Sequence, residues 1–527
     1  MGSAETRTRS TGSRSLQGAA GRNERIPWTK DPESRGNEAE GAAEESERLH
    51  CTVEAGEPNP NGTRWREGKT ARGRRMTEPQ EGKMTGVSTP EDVSTKQARI
   101  AQLAKQMPGK AMHSLSRHMD LAWLREAFRR TRKDGAPGVD GQTAAEYAEK
   151  LEENLQSLLD RAKSGTYRAP PVRRVHIPKG SGAKTRPIGI PTLEDKVLQR
   201  AVVMLLEPVY EQDFYDFSYG FRPGRSAHDA VEALDGAIRG MEGGWILDVD
   251  VQSFFDTLDR KKLRELLRQR VVDGVLVRLI GKWLRAGVLE GGVLRYSELG
   301  TPQGGVISPL LANIYLHEVL DTWWVQEVLP RLKCEAHLIR YADDFVMVFA
   351  SPKDADKVLQ VLPERFGRFG LTLHPDKTRR VPFKRPPRNG KGPGPGSFNF
   401  LGFTWYWGRS RRGSRVLKRR TAKDRFRRAV RNVDQWLRRV RHIPVKQQVK
   451  SLGRKLIGHF NYYGIKGNST ALSRFRYAVC RLWRYWLSRR SGKARMPWKK
   501  FNRLLARHPL PPARLPRRHG QLRLANL

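Results

Sequence analysis

Apolar residues recur at helical spacing through Leu121, Leu124 and Phe128, and again through Tyr147, Leu151, Leu155, Leu158 and Leu159. Each set predicts one amphipathic helix. Between them the run DGAPGVDG (Asp134 to Gly141) gathers Gly, Pro and Asp and predicts a turn, and Gly165 is placed to cap the second helix. From about 171 to 406 the pattern changes to short β-prone runs alternating with helical stretches, as in an α+β domain. Two of these runs stand out. Trp245, Ile246, Leu247 and Val249 read as a buried strand that carries Asp248 and Asp250 on one face. The run HLIRYADDFV (His337 to Val346) sets Leu338, Ile339 and Tyr341 before two adjacent acids, Asp343 and Asp344, and Met347, Val348 and Phe349 follow. Two apolar runs broken by a polar pair predict a hairpin with acids at its tip. PPRNGKGPGPG (Pro386 to Gly396) predicts a loop. Beyond Gly408 the pattern is helical, with candidate helices at Arg427 to Val440, Val445 to Tyr463 and Leu472 to Leu487. The last 30 residues, with HPLPPARLP, predict a loosely packed tail.

Composition sharpens this picture at both ends. Residues 1 to about 95 are rich in Gly, Ser, Thr, Glu and Arg and poor in aliphatics, so they are expected to be disordered, with order beginning near Gln97. Met76 and Met84 remain open as alternative starts. The 527 residues carry 99 Lys and Arg against 55 Asp and Glu, a formal net charge of +44. From Gly408 onward there are 36 basic residues and only two acids, Asp424 and Asp434. A basic block of this kind that also holds Trp436, Trp483, Trp486 and Trp498 suits a polyanion with stackable bases. A solvated helix face would mix both signs. Cys51, Cys334 and Cys480 are isolated, which argues against a disulfide framework or a zinc knuckle and fits a reducing, cytoplasmic setting. No apolar run approaches the roughly 20 residues needed to span a bilayer, so no membrane partner is expected.

Two carboxylates side by side on a hairpin in a polar cleft suit Mg²⁺, which takes oxygen ligands from one or two acids plus substrate phosphates. A solvated turn is the alternative reading of the same pair. Joining nucleotides requires a third acid, so that two metal ions bridge the attacking oxygen and the leaving phosphate. WILDVDVQSFFDTLD (Trp245 to Asp259) offers Asp250 for that purpose, with Phe255 five residues on.

These blocks and their order resemble the group II intron-encoded reverse transcriptases. DVQSFFD and YADD resemble motifs A and C of the polymerase palm. IPKGSGAKTRPIGIPTLEDKVLQRA (Ile177 to Ala201) is similar to the fingers region, and YGFRPGRSAHDAV (Tyr219 to Val231) to the block that follows it. GTPQGGVISPLLANIYL (Gly300 to Leu316) is similar to motif B, LTLHPDKTR (Leu371 to Arg379) to motif D and FNFLGFTW (Phe398 to Trp405) to the primer grip. DGAPGVDG resembles the N-terminal extension of these proteins, and GHFNYYG (Gly458 to Gly464) their maturase domain X. The likeness runs from roughly 110 to 495.

The resemblance implies an α+β right-hand polymerase and an all-helical thumb and maturase domain, after a disordered N-terminal segment. The implied divisions are 1–95, an N-terminal extension at 96–170, fingers and palm at 171–406, a basic helical domain at 407–495 and a basic tail at 496–527. It implies RNA-directed DNA synthesis with two Mg²⁺ ions, for which Mn²⁺ can substitute. Asp250, Asp343 and Asp344 would be the catalytic acids, with the carbonyl of Val251 as a further metal ligand. Lys179 and Arg186 would hold the triphosphate, Gln303 would pack against nucleotide and template, and Lys377 would protonate or neutralise the leaving pyrophosphate. Phe255 would be the gate that excludes a 2′-hydroxyl, while Asp248 is read as structural. RNA contact would fall to Arg427, Arg428, Arg438, Arg439, Arg454, Lys455, Arg481 and Arg484, mostly to phosphates. For GHFNYYG, core packing is favoured over base stacking. The implied partners are the group II intron RNA, an RNA template with DNA primer and dNTPs, and target DNA. A splicing-only maturase is the alternative, or another bacterial reverse transcriptase of retron, diversity-generating or phage-defence type. No Cys follows Cys480, so an HNH endonuclease is not expected.

Overall fold

The computed structural model describes residues 92–178, 185–296, 304–387, 396–491 and 495–515. The chain opens on helix α1 (Val93–Gln106), which buries Ile100 and Ala104. That start lies just inside the stretch expected to be disordered, whose remainder, 1–91, lies outside the described residues. Helix α2 (Leu121–Arg130) starts at Asp120, whose carboxylate accepts a hydrogen bond from Trp123 N at 2.8 Å. The one helix expected through Tyr147 to Leu159 is two, α3 (Ala144–Glu149) and α4 (Leu151–Ser164). Thr143 and Glu146 form a capping box on α3, and Lys150, at φ −122° and ψ 46°, leaves helical geometry between them. Gly165 ends α4 in the left-handed conformation.

Strands β1 (Val172–Pro178) and β2 (Thr185–Ile190) precede α5 (Leu193–Tyr210), a helix apolar on almost every side and buried along its length. Helix α6 (Ala227–Gly240) leads into β3 (Trp245–Gln252), followed by the single turn α7 (Phe254–Thr257) and helices α8 (Arg260–Arg270) and α9 (Gly274–Arg285). Strands β4 (Val288–Glu290) and β5 (Val293–Arg295) come next, then α10 (Ser308–Leu316), which is prolonged by π-helical turns at His317–Thr322 and Trp324–Val328. Strands β6 (Ala336–Tyr341) and β7 (Asp344–Phe349) form a hairpin, trailed by α11 (Pro352–Arg368), β8 (Thr372–Leu373) and β9 (Arg379–Pro382). The last part holds β10 (Phe398–Phe400), β11 (Phe403–Arg409), β12 (Arg415–Thr421), α12 (Lys423–Val440), α13 (Val445–Tyr463), α14 (Ser469–Leu487) and α15 (Trp498–Arg507).

Two expectations about this last part are corrected. The helical pattern read from Gly408 onward begins only at Lys423, because Arg415–Thr421 pairs with β11 from Phe403↔Thr421 to Arg409↔Arg415. Its alternation was masked by basic residues whose stems cover the sheet, such as Arg419 over the Trp405 ring at 5.2 Å. Nor is the whole of 496–527 a loose tail. Within it, α15 inserts Phe501 edge-on against Trp483 at 5.4 Å, and Leu510 is buried. Phe501, Leu504 and Leu505 supply the apolar stripe that makes this possible.

The central sheet runs β6-β7-β3-β8, with β9 also paired to β3. Period-two alternation splits β3 between two cores. Leu247, Val249 and Val251 join Phe345, Met347 and Phe349 in the large core with α5, α8, α9 and α10. Ile246 joins Val346 and Val348 in a second core with α6 and β10–β12. A separate sheet, β2-β1-β4-β5, lies N-terminal to α10 in sequence. Helices α12–α15 form a third core around Trp483, Leu452, Leu456 and Leu472. There the buried Gln448 donates to the carbonyls of Val440, Arg441 and Ile443 that close α12, and accepts from Trp483 Nε1 at 2.8 Å.

Candidate active site

Strand register brings the acids together. Asp250 stands directly opposite Asp344 in the antiparallel pair of β3 and β7, and Asp344 stands opposite Tyr341 of β6. Residues opposite one another share a face, so Asp248, Asp250 and Asp344 point the same way. Asp343 occupies the turn between β6 and β7, beside Ala342, which is left-handed at φ 57°. An alanine there is strained by about 1 kcal/mol, so the surroundings must hold it.

They do so from below, through residues that the sequence reading left unassigned. Arg340 is fully buried and donates from Nε to Asp321 Oδ1 at 2.8 Å, and Asp321 is fully buried as well. Arg340 Nη1 donates to Asn313 Oδ1 at 3.0 Å and to the carbonyl of Ala342 at 3.2 Å. Asn313 Nδ2 in turn donates to Gly220 O at 2.7 Å. A Cβ on Gly220 would stand 2.2 Å from Ala342 N, so only glycine admits the turn this close. The main chain closes the frame, with Tyr219 N on Arg340 O and Arg340 N on Phe217 O, both at 2.9 Å. The signal available in the sequence was a lone arginine inside the apolar run HLIRYA and a lone acid inside VLDTWWV.

Asp250 and Asp343 share an open cleft of about 600 Å³ whose lining includes Arg186, Val251, Phe255, His374 and Lys377. Lys377 Nζ lies 2.6 Å from Asp250 Oδ2, and His374 N donates to the Asp250 carbonyl at 2.8 Å. Phe255 is half-buried and packs edge-on against Phe254 at 5.3 Å. Val251 buries its side chain in the large core. Asp248 binds Arg379 at 3.4 Å, and burial pushes its carboxyl up to about 6 against the pull of that guanidinium. Asp344 is reached by solvent, yet it lies low enough among protein atoms that lost hydration dominates. Desolvation, then repulsion from Asp248, Asp343 and Asp250, raise it to about 7, while Arg425 opposes the rise. Burial raises Asp343 too, with Arg186 opposing. Lys179 and Gln303 lie outside the described residues. Gly304, next to Gln303, runs so close to β2 that a Cβ would stand 2.4 Å from Gly189 O.

Oxygen donors crowded beyond their local countercharge fit a hard divalent cation. Among the described residues no three His, Cys, Asp or Glu side chains form a ready-made metal cluster. Mg²⁺ held by Asp250 and Asp343 would therefore complete its shell with substrate phosphates and water.

The basic helices divide their cations unevenly. Arg427, Arg438, Arg439, Arg454, Lys455 and Arg481 are exposed, and Arg428 is half-buried. Arg484 turns inward instead, donating to Met496 O at 3.0 Å and lying over Trp498 at 4.6 Å, so it ties α14 to α15. In GHFNYYG, Tyr462 donates to Leu401 O at 3.0 Å and stacks on Phe403 at 6.1 Å, and His459 stacks on Phe475 at 3.7 Å. These rings pack the helices against β11. Among the described residues no helix is long and apolar enough to cross a membrane.

A family model described as reverse transcriptase (RNA-dependent DNA polymerase) matches residues 177–405. Protein YkfC of Escherichia coli K12 is 36% identical over 324 residues, which span 54% of this chain and 84% of that protein. Group II intron-encoded protein LtrA of Lactococcus lactis is 44% identical over 175 residues, 33% of this chain and 29% of the relative. Nuclear intron maturase 2, mitochondrial, of Arabidopsis thaliana is 26% identical over 230 residues, 36% of this chain and 30% of the relative. The match thus spans less than a third of the two intron proteins.

Proposed function

The chain belongs to the reverse transcriptase family, in its group II intron-encoded branch, and we propose that it copies RNA into DNA and also binds its intron RNA to promote splicing. We read β3, β6–β9 and α11 as the palm, β1–β2 with α5 as the fingers, and α12–α15 as the thumb and domain X. The observation that carries the reading is the fixed register of Asp250 against Asp344, with Asp343 in the adjoining turn, at a cleft lined by Arg186, Phe255 and Lys377.

The residues divide the work of nucleotidyl transfer. Asp250 and Asp343 present the oxygen donors, and Mg²⁺ bound there supplies charge stabilisation at the attacking and leaving oxygens. Arg186 lines the same cleft, near Asp343, and would hold phosphate charge as it develops. Lys377 pairs with Asp250 and would turn to the leaving pyrophosphate once Asp250 has another countercharge. To Phe255, on the cleft lining, falls the role of pressing on the sugar and discriminating against a 2′-hydroxyl. Lys179 and Gln303 are assigned to triphosphate and template by motif alone. The exposed cations of α12–α14 provide affinity for the intron through phosphates, and target-primed synthesis into DNA would follow from both activities. Primer extension on an RNA template, dNTPs beside rNTPs, tests the reading: dNTP-dependent extension lost in Asp250→Asn supports it, and extension retained in that variant refutes the site.

A further inference from the structure

Beside the loop 304–307, which directly follows Gln303 in sequence, lies a buried polar cluster with no part in the chemistry described so far. Asp195 and Gln199 stand one turn apart on α5 and are 1% and 3% exposed. Asp195 Oδ1 accepts from Tyr167 Oη at 2.7 Å and from Trp283 Nε1 at 2.6 Å. Its Oδ2 accepts from Gln199 Nε2 at 3.0 Å. Gln199 Oε1 then accepts from Ile307 N, at the start of α10, at 3.2 Å. We propose that Asp195 is a positioning residue for nucleotide binding, which sets the loop 304–307 against strand β2 through the Gln199 amide. The bearing on nucleotide rests on the polymerase reading, whereas the placement of the loop does not.

What the carboxylate adds is direction. Its side-chain donors are a phenol O–H, an indole N–H and an amide, all neutral, so the buried charge is costly beside an apolar core. Burial raises Asp195 to about 6 against those three hydrogen bonds, with Glu194 adding to the rise, and the group is predominantly ionised at neutral pH. An ionised carboxylate can only accept, so Gln199 must turn its NH2 toward Asp195 and its oxygen toward the loop. The reverse orientation would set an NH2 against the Ile307 N–H. Tyr167 follows α4 and Trp283 belongs to α9, so Asp195 is itself held from two further elements.

The loop has little room to respond in any other way. A Cβ on Gly305 would stand 3.1 Å from Gln199 Oε1, and one on Gly304 would stand 2.4 Å from Gly189 O of β2. Strand β2 also carries Arg186, which lines the catalytic cleft. One amide therefore governs how the loop after Gln303 meets the strand that bears Arg186.

The test moves the charge by one residue along this chain of hydrogen bonds. In Asp195→Asn the amide oxygen takes the place of Oδ1, where two donors converge, and the NH2 faces Gln199. Gln199 then reverses and meets the Ile307 N–H donor to donor. The KM for dNTP should rise by about tenfold or more with a smaller change in kcat, and the peptide spanning Ile307 should exchange its amide hydrogens faster. Gln199→Glu alone sets two carboxylates together and should be impaired as well. Combining Asp195→Asn with Gln199→Glu restores the direction, because the new amide donates to the new carboxylate and the latter's other oxygen accepts from Ile307 N. Both readouts should then return to within about twofold of wild type. Tyr167→Phe, assayed in mildly alkaline buffer, removes one donor without turning the amide, and should lower the unfolding midpoint while the KM stays unchanged. An unchanged KM and unchanged exchange at Ile307 in Asp195→Asn overturn the inference. So does a double variant no better than Asp195→Asn alone, or a KM raised equally by Tyr167→Phe, which would make the cluster structural only. If wild type makes no DNA the polymerase reading fails, and exchange at Ile307 across the same variants still decides whether Asp195 places the loop.

Discussion

The central sheet and the C-terminal helices both collect charge, and they handle it in opposite ways. In the sheet each charge has one address. Asp250 is set by register against Asp344, Lys377 is bound to Asp250, Arg379 to Asp248 and Arg340 to Asp321. In the helices most cations point outward from a core of Trp483, Phe475 and Leu452, and only Asp424 and Asp434 balance 36 basic residues from Gly408 onward. Chemistry at a reacting atom needs fixed donors, whereas holding a flexible polyanion needs charge density. Losing one group should therefore be ruinous in the first region and small in the second.

The sharpest way to break that contrast is to remove one acid. Asp343→Ala should lower DNA synthesis by about 10³-fold or more while intron RNA binding and splicing assistance survive. Loss of both in a folded variant would mean that the regions are not separable. Next in size is the frame under the hairpin. Arg340→Met leaves Asp321 buried without a partner and should cost about 3–5 kcal/mol in urea unfolding. Combining it with Asp321→Leu should restore most of that stability yet leave synthesis impaired, because the Ala342 carbonyl and Asn313 still lack their donor. Full recovery of synthesis in the double variant would show that the frame only stabilises. Phe255→Ala should reduce discrimination against ribonucleotides by about 10- to 100-fold, measured as the ratio of kcat/KM values. In the helices, Arg438→Gln with Arg439→Gln should weaken all RNAs alike and reduce the salt slope by about one to two, with no effect on the nucleotide KM.

Acid should blur the contrast by a similar amount on each side. Burial holds His317, in the large core, and His459, against Phe475, down at about 4. For His317 the positive charges of Arg340 and Arg222 add to burial. Both are neutral when folded and protonate near 6.5 when unfolded, so their contribution is intact above about 6.5 and falls by about 1.4 kcal/mol per histidine for each pH unit down to about 4. His459→Phe should remove that loss from the helical unit alone, read as a shallower fall of its unfolding midpoint between pH 6.5 and 4.

What the sequence made legible follows the same division. A period-two strand that carries Asp248 and Asp250, and an apolar hairpin broken at Asp343 and Asp344, announce themselves because the pattern is local and the register is set by burial. Arg340, Asp321, Asn313 and Gly220 did not, since they meet across 19, 27 and 93 residues of chain and nothing local marks a charged side chain as buried. The break at Lys150 was hidden because leucine spacing continues through it. Strand β12 was hidden because its basic stems serve as its apolar surface. Arg484 illustrates the limit in the helices: composition shows that cations are abundant, and only packing shows which of them is spent on Met496 and Trp498.

The most direct measurement is Mg²⁺-dependent incorporation of dTTP on poly(rA) primed with oligo(dT), wild type beside Asp343→Ala, with intron RNA binding read on the same preparations. Incorporation by wild type alone, with equal RNA affinity, is the predicted result. Incorporation by both proteins, or by neither while both bind RNA, would contradict the placement of polymerase chemistry on the β6–β7 hairpin.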